Sequence, residues 1–445
     1  MSVQRAGATL TLVVACAGVL LAQVDTSIVN LILHRLHEAF GASNGQLRWF
    51  VDGYNVAYAA AILSAGALGD RLGRRKLFAI GIAVFTAGSA ACALAPNPAF
   101  LIAARVLTGI GAALEVPATL ALLSIAFPEG AARGRALGVW ASMNGLAFAI
   151  GPVAGGVLAD AFGWRSVFAV AIPFGIASLV LAQRLCEPPA RAGTHLDVAG
   201  QTLAAFALGT LTFGAMAAGS RAYVAAAIWI LASIAGAAAF VSRERRTREP
   251  LVDLAVFGDA RFVAATFATG CMTFGMYGML FLTPLALQTF RGMSTTQAGV
   301  ALLPLSLVFV AVSTASGAIA ARIGKRATIV CGMIAMGAGC AGLAAVPSVP
   351  WPSLAPSLAA TGVGLGLTTG QLLGYAVSRA HKESAGAASG IGNAARMFGA
   401  TLGVAILGAT FAGVTAAHAT PLRLGYGGAA AIELLGALVS LAWIR

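Results

Sequence analysis

The sequence predicts an all-α polytopic membrane protein with fourteen transmembrane helices, laid out as two six-helix bundles and a two-helix insertion between them. Three observations predict it. The 445 residues are 59% hydrophobic and only 10% charged, where a soluble chain would be about a quarter charged. The charges fall in short clusters separated by apolar runs of about 20 residues or more, the length an α-helix needs to span a hydrocarbon core. The basic clusters also alternate. Arg5, Arg71, Arg74, Arg75, Lys76, Arg133, Arg135, Arg184, Arg191, Arg243, Arg245, Arg246, Arg248, Arg322, Lys325, Arg326, Arg379, Lys382 and Arg445 lie on one set of connections. Arg35, Arg48, Arg165, Arg221, Arg291 and Arg423 lie on the other. A ratio of about three to one marks the rich side as cytoplasmic. Both termini then face the cytoplasm and the number of spans is even. The net charge of +13 follows this topology and forms no nucleic-acid-binding patch.

The elements follow in order. The first span, 8–34, trails Arg5 in the manner of a signal peptide, but it is long and runs into polar residues, which favours a retained helix. Spans 48–69, 77–95, 99–126, 136–160 and 165–185 complete an N-terminal bundle within residues 1–186. Residues 184–191 and 243–248 are both basic, so the apolar stretches between them, 197–218 and 222–242, must cross out and back as a hairpin within 187–250. Spans 261–288, 297–321, 327–346, 352–378, 385–412 and 424–444 form a C-terminal bundle within 251–445. The halves repeat weakly. Gly66-Ala67-Leu68-Gly69-Asp70-Arg71-Leu72-Gly73-Arg74-Arg75 follows the second span, and Gly317-Ala318-Ile319-Ala320-Ala321-Arg322-Ile323-Gly324-Lys325-Arg326 follows the tenth. Halves of like orientation imply a pseudo-two-fold axis along the membrane normal, with a path between them. Cys16, Cys92, Cys186, Cys271, Cys331 and Cys340 form no C-x-x-C and read as small apolar residues.

Charges inside the spans are the candidate functional groups. Asp25 lies about two-thirds of the way through the first span, where a carboxylate is costly. Arg105 lies about 9 Å into the fourth span and Asp25 about 13 Å from the same face, at 1.5 Å per residue. They are close enough to pair. Either the pair is permanent and locks the fold, or its separation lets Asp25 take up and release a proton. Glu115 falls about 80° off the face of Arg105. It is a second protonatable site, an anchor for a cationic ligand, or a carboxyl bonded to a nearby Ser or Thr. Asp52 opens the second span just inside the outer face. Tyr54, Tyr58, Trp140, Phe148, Phe274 and Tyr277 either line a cavity and stack on a lipophilic or cationic ligand, or face lipid and core. Arg396 and Glu433, both about 14–17 Å deep, suggest a structural ion pair. Trp49, Trp164 and Trp351 fit an interfacial belt. The sequence contains no nucleotide-binding loop, metal cluster or catalytic triad, so neither an enzyme nor a cofactor is expected.

Gly66 and Gly73 permit a tight turn, and Asp70 at the helix end can bond to Arg71, Arg74 or the N-terminus of another helix. That contact either latches the halves together in one state or the loop only sets topology. Gly138, Gly145, Gly151, Gly155 and Gly156, with Pro152, give the fifth span a smooth side for close packing. The loop from Gly66 to Arg75 resembles the signature between helices two and three of the major facilitator superfamily. Asp25-Thr26-Ser27-Ile28-Val29-Asn30 is similar to the helix-one segment of its fourteen-helix drug:proton antiporters, with His34 where that group usually carries Pro. Leu101-x-x-x-Arg105-x-x-Thr108-Gly109-x-Gly111 resembles the superfamily's membrane arginine motif, with Thr108 for Gln. Gly138-x8-Ala147-x3-Gly151-Pro152-x2-Gly155-Gly156 resembles the exporters' antiporter motif, with Ala147 for one Gly. Asp197-x-x-Gly200 and Asn393-x-x-Arg396 also look familial.

The resemblance implies the major facilitator fold and a proton-coupled antiporter. It would export lipophilic or cationic drugs, or other small organic molecules, by alternating access. Its implied partners are protons, a small-molecule substrate and the lipid bilayer, with the chain a monomer in a bacterial cytoplasmic membrane. Three rivals stay open: a dedicated exporter of one metabolite or self-made antibiotic, an uptake symporter, and a transport-dead receptor.

Overall fold

The structure, a computed structural model, describes residues 2–127, 130–185, 197–219, 222–247, 254–345, 350–379, 385–411 and 420–444. The regular structure in them is helical. The first half holds α1 (Ser2–Ile28), a 3-10 turn (Val29–Leu31), α2 (Leu33–Phe40), α3 (Asn44–Leu72), α4 (Arg74–Ala93), α5 (Pro98–Ala126), α6 (Gly130–Phe162), α7 (Arg165–Ala169) and α8 (Ala171–Ala182). A hairpin of α9 (Val198–Gly219) and α10 (Tyr223–Glu244) follows. The second half holds α11 (Ala260–Arg291), α12 (Thr295–Ala301), α13 (Leu303–Ile323), α14 (Lys325–Leu343), α15 (Ala355–Arg379), α16 (Ala385–Phe411) and α17 (Thr420–Trp443).

Among the described residues, 12 helical stretches are long and apolar enough to cross a membrane, against the fourteen expected. The two others are α3 and α15. Asp52, Asn55 and Asp70 dilute the apolar content of α3, and glycines and threonines dilute that of α15. Two expected spans are stepped by proline, which cannot donate to the preceding turn and crowds its carbonyl. Pro173 follows the break between α7 and α8, and Pro304 the break between α12 and α13. Cys92, Cys271 and Cys340 are buried as expected, but Cys331 is exposed.

The internal repeat reaches well past the ten-residue loop, at a constant spacing of 251 residues (292 less 41). Gly41 and Gly292 both close helices at φ 60°. Ser43 and Ser294 both open helices with capping boxes to Gln46 and Gln297. Gly73 and Gly324 take φ 94° and 87° with ψ 144° and 151°. Arg75 donates to the Gln183 and Leu185 carbonyls at the end of the first half's last helix, and Arg326 to the Leu441 carbonyl at the end of the second's. Each basic residue thus satisfies orphan carbonyls at a helix C-terminus.

The hairpin packs against α3 and α16, with the Phe213 and Trp49 ring centroids 4.6 Å apart. Its open end is clasped by Asp197, which accepts from Gly200 N at 2.8 Å and from Arg243 Nε at 2.7 Å. The Arg243 hydrogen bond holds the Asp197 carboxyl below its usual range. A side chain at Gly200 would collide with that carboxylate, which accounts for the glycine.

The backbone at Gly73 and Gly324 is close to a glycine-only region that costs other residues about 1–3 kcal/mol. Gly73→Ala and Gly324→Ala should each lower stability by about that much in denaturant unfolding of the detergent-solubilised protein. Gly317→Ala, where the added methyl meets open space, is the control and should have no measurable effect.

Candidate functional site

α1 loosens where it carries Asp25. The Thr26 hydroxyl donates to Gln23 O at 2.8 Å, Ser27 to Val24 O at 3.0 Å and the Asn30 amide to Thr26 O at 3.0 Å. Such side chains compete with the helical ladder and bend it, and α1 gives way to the 3-10 turn just beyond, at Val29. Opposite it, α5 starts under Asn97, whose Oδ1 accepts from Phe100 N at 2.9 Å, and presents Arg105 two turns in. The Arg105 guanidinium donates to Asp25 Oδ2 at 2.5 Å and to Phe50 O at 2.8 Å, and stands 4.8 Å over the Tyr54 ring. Thr108 Oγ1 lies 3.5 Å from Arg105 Nη1. Both charges are buried, at 6% and 1% exposure. The Tyr54 hydroxyl donates to Ala22 O at 3.3 Å, and its ring stacks on Tyr58 at 6.0 Å. α1, α3 and α5 are therefore tied at one charge pair. Removing one partner of a buried pair costs about 3–5 kcal/mol by stranding the other.

Three more carboxyls are fully enclosed. Asp52, Glu115 and Glu433 are each 0% exposed, and neither oxygen of any of them has a hydrogen-bond partner among the described residues. Glu115 lies against Gly81 of α4, so the expected alternative of a Ser or Thr partner fails. One turn on, Thr119 accepts from Trp140 Nε1 at 2.9 Å, tying α6 to α5. The expected Arg396–Glu433 ion pair does not form. Glu433 on α17 turns to Gly275 of α11, whereas Arg396 on α16 donates to Asn393 Oδ1 at 3.3 Å. Their depths match, but their helices aim them at different neighbours. Tyr58, Phe148, Phe274 and Tyr277 are buried. In the expected latch, Gly73 makes the positive-φ turn, Arg71 is exposed and Arg74 folds over Gly69. Gly66 lies within α3, and the Asp70 side chain lies outside the described residues.

The halves join at the arginine-poor end and down to mid-depth. Asp160 of α6 accepts from Arg35 Nη2 at 2.9 Å and from Thr296 N and Thr295 N of α12 at 2.8 and 3.3 Å. Gln288 of α11 donates to Leu31 O at 2.9 Å, and Arg48 of α3 to Ala405 O of α16 at 3.1 Å. Pro152 cannot donate to Phe148 O; Ser306 of α13 does so instead, at 2.7 Å. Phe148 and Phe309 meet edge-on at 5.7 Å. Gly151 and Gly155 nest α1 at Ser27 and Ile28, while Gly156 lies on the Thr295–Thr296 backbone and Gly299 on Pro152 O. The predicted smooth side of the fifth span therefore faces both its own half and the opposite one. The cross-half hydrogen bonds named here all lie in this region.

Residues 15–404 match the family described as the Major Facilitator Superfamily. The chain belongs to the Major Facilitator Superfamily. It is thus a multi-pass membrane transporter. It is 34% identical over 417 residues to the "Multidrug resistance protein Stp" of Mycobacterium tuberculosis (strain CDC 1551 / Oshkosh), covering 93% of this chain and 77% of that one. It is 32% identical to the "Methylenomycin A resistance protein" of Bacillus subtilis (strain 168), covering 89% and 86%. It is 33% identical to the "Tetracenomycin C resistance and export protein" of Streptomyces glaucescens, covering 90% and 76%. Among solved structures, a D-xylose-proton symporter aligns at TM-score 0.71 and 17% identity over 98% of both chains. The partially occluded inward-open xylose transporter XylE from E. coli aligns at 0.68 and 13%, over 98% and 99%.

A superfamily transporter needs a seal between its halves that can break. Sequence reading missed the residues of this one: Arg35, Arg48, Asp160, Gln288 and Ser306. Asp160 did carry a signal. It sits in the last turn of α6, where the helix dipole disfavours an acid, so it needs donors from elsewhere. Asp160→Asn should loosen this seal. The contact is partly solvent-exposed and worth about 1 kcal/mol, or about fivefold in the closed-to-open ratio. Spin labels at positions 38 and 291 should then show a larger long-distance population, and an unchanged distribution would remove Asp160 from the seal.

Proposed function

We propose that this transporter is a proton-driven exporter of the fourteen-helix drug:proton antiporter type, in the cytoplasmic membrane of a bacterium. The observation that carries the reading is the buried Asp25–Arg105 pair, intact while the arginine-poor end is shut. By the positive-inside rule that end faces outward and both termini face the cytoplasm. A transporter sealed outside, with its carboxylate held by arginine, is the form that has given up its proton and accepts substrate from within. Relatives named for multidrug, methylenomycin A and tetracenomycin C resistance favour outward over inward flux.

Alternating access then couples the two flows. Substrate enters between the bundles 1–186 and 251–445, the outer seal breaks and the bundles rock. Arg105 stays on α3 through Phe50 O and Tyr54, so motion of α1 against α3 and α5 strands Asp25. The stranded carboxyl takes a proton from outside, substrate leaves, and the return movement restores the pair and expels the proton inward. The Gly66–Arg75 loop latches the cytoplasmic side in the opposite state, through Asp70 and its neighbouring arginines. Glu115 is a second proton site, and Tyr58, Trp140, Phe148, Phe274 and Tyr277 border the path. α3 has 29 residues and α15 has 25. At 1.5 Å per residue these are about 44 and 38 Å long, enough to cross a core of about 30 Å. They bring the spans to fourteen, with α9 and α10 the insertion within 187–250.

Asp25→Asn should reduce gradient-driven export to about a tenth of wild type or less, with the membrane level unchanged. Acridine-orange antiport assays in inverted vesicles over an antibiotic panel measure this. Full export by the variant would remove Asp25 from the coupling step.

A further inference from the structure

Arg396 stands out once its predicted partner is gone. It lies on α16, which begins at Ala385, and so about 16 Å into the helix. That is near mid-membrane, where an arginine is costly and marks a site by default. It is half-buried. Its one described hydrogen bond, to Asn393 Oδ1, is long at 3.3 Å and to a neutral group. Its Nε is buried with no hydrogen-bond partner. No carboxylate pairs with it among the described residues. Its helix packs against α3 of the opposite half and against α11, the helices that carry Tyr58 and Tyr277. A cation with an unused donor therefore lies on a helix that borders the seam between the halves.

The acids at this depth are differently placed. Asp25 is taken up by Arg105, and Asp52, Glu115 and Glu433 are each 0% exposed. None offers a carboxylate to a cation in the seam. We infer that Arg396 is the substrate-binding cation and that the substrate it selects is a lipophilic organic anion. A carboxylate or phenolate would occupy the guanidinium donors left over by the protein, and its apolar body would lie among the tyrosine rings. This reverses the cationic preference expected from sequence. It rests on the exporter reading only for the existence of a substrate path between the halves.

The test is equilibrium binding to the full-length protein in nanodiscs, using three probes that share a fluorophore: dansylglycine (anion), dansylglycinamide (neutral) and dansylcadaverine (cation). Dansylglycine should bind at least about tenfold tighter than dansylglycinamide. Arg396→Gln should erase that margin while leaving dansylglycinamide affinity unchanged, which also shows that the variant is folded. Arg396→Lys, which keeps the charge but not the fork, should retain part of the margin. Equal affinities, tighter dansylcadaverine binding, no dansylglycine binding, or an unaltered margin in Arg396→Gln would overturn the inference. The measurement needs no proton gradient, so its failure leaves the coupling role of Asp25 standing, and loss of coupling would leave anion selection standing.

Discussion

The contact between Asp25 and Arg105 is the constraint around which the first half is organised. Neither charge is tolerable alone at that depth. Together they are held by a short hydrogen bond, a backbone carbonyl and a tyrosine face. These partners come from three helices, so the pair is satisfied only when α1, α3 and α5 keep one relative placement. The helix that carries Asp25 also gives way to a 3-10 turn just beyond it, at Val29. The acid thus sits close to the end of its helix, and the arginine on α5, which is braced against α3.

The seal between the halves is built on different terms. Within each half, helices close over apolar side chains and glycine contacts. Across the seam, glycine contacts at Gly156 and Gly299 and the Phe148–Phe309 pair are joined by hydrogen bonds to carbonyls at Leu31, Phe148 and Ala405 and to one carboxylate at Asp160. Each hydrogen bond is worth about 1 kcal/mol, so the seam can open while the bundles persist. Arg48 crosses this seam, and Asp52, one turn along the same helix face, is left without a hydrogen bond. Asp52, Glu115 and Glu433 are thus sequestered, whereas Arg396 is only half-buried.

Much of this was legible before the structure. Charge clusters and apolar run lengths marked the helices because the bilayer imposes one length on every span. Depth arithmetic brought Asp25 and Arg105 together because both depths are counted from the same outer face. The same arithmetic misled at Arg396 and Glu433. Depth says nothing of direction around a helix, and the alanines and glycines on every side give no apolar stripe to orient it. The repeat was visible only in its ten-residue loop. Its other matches, Gly41 with Gly292 and Ser43 with Ser294, are single residues that acquire meaning only as caps. The seal was illegible because its acceptors are mainly backbone carbonyls, which every residue carries.

The central claim is that Asp25 exchanges a proton as it leaves and rejoins Arg105. Substrate binding to purified, detergent-solubilised protein in weakly buffered solution tests it directly, with a pH-sensitive dye reporting released protons. The account predicts a burst of protons from the wild type and its loss in Asp25→Asn at matched substrate occupancy. An undiminished burst from the variant would contradict it.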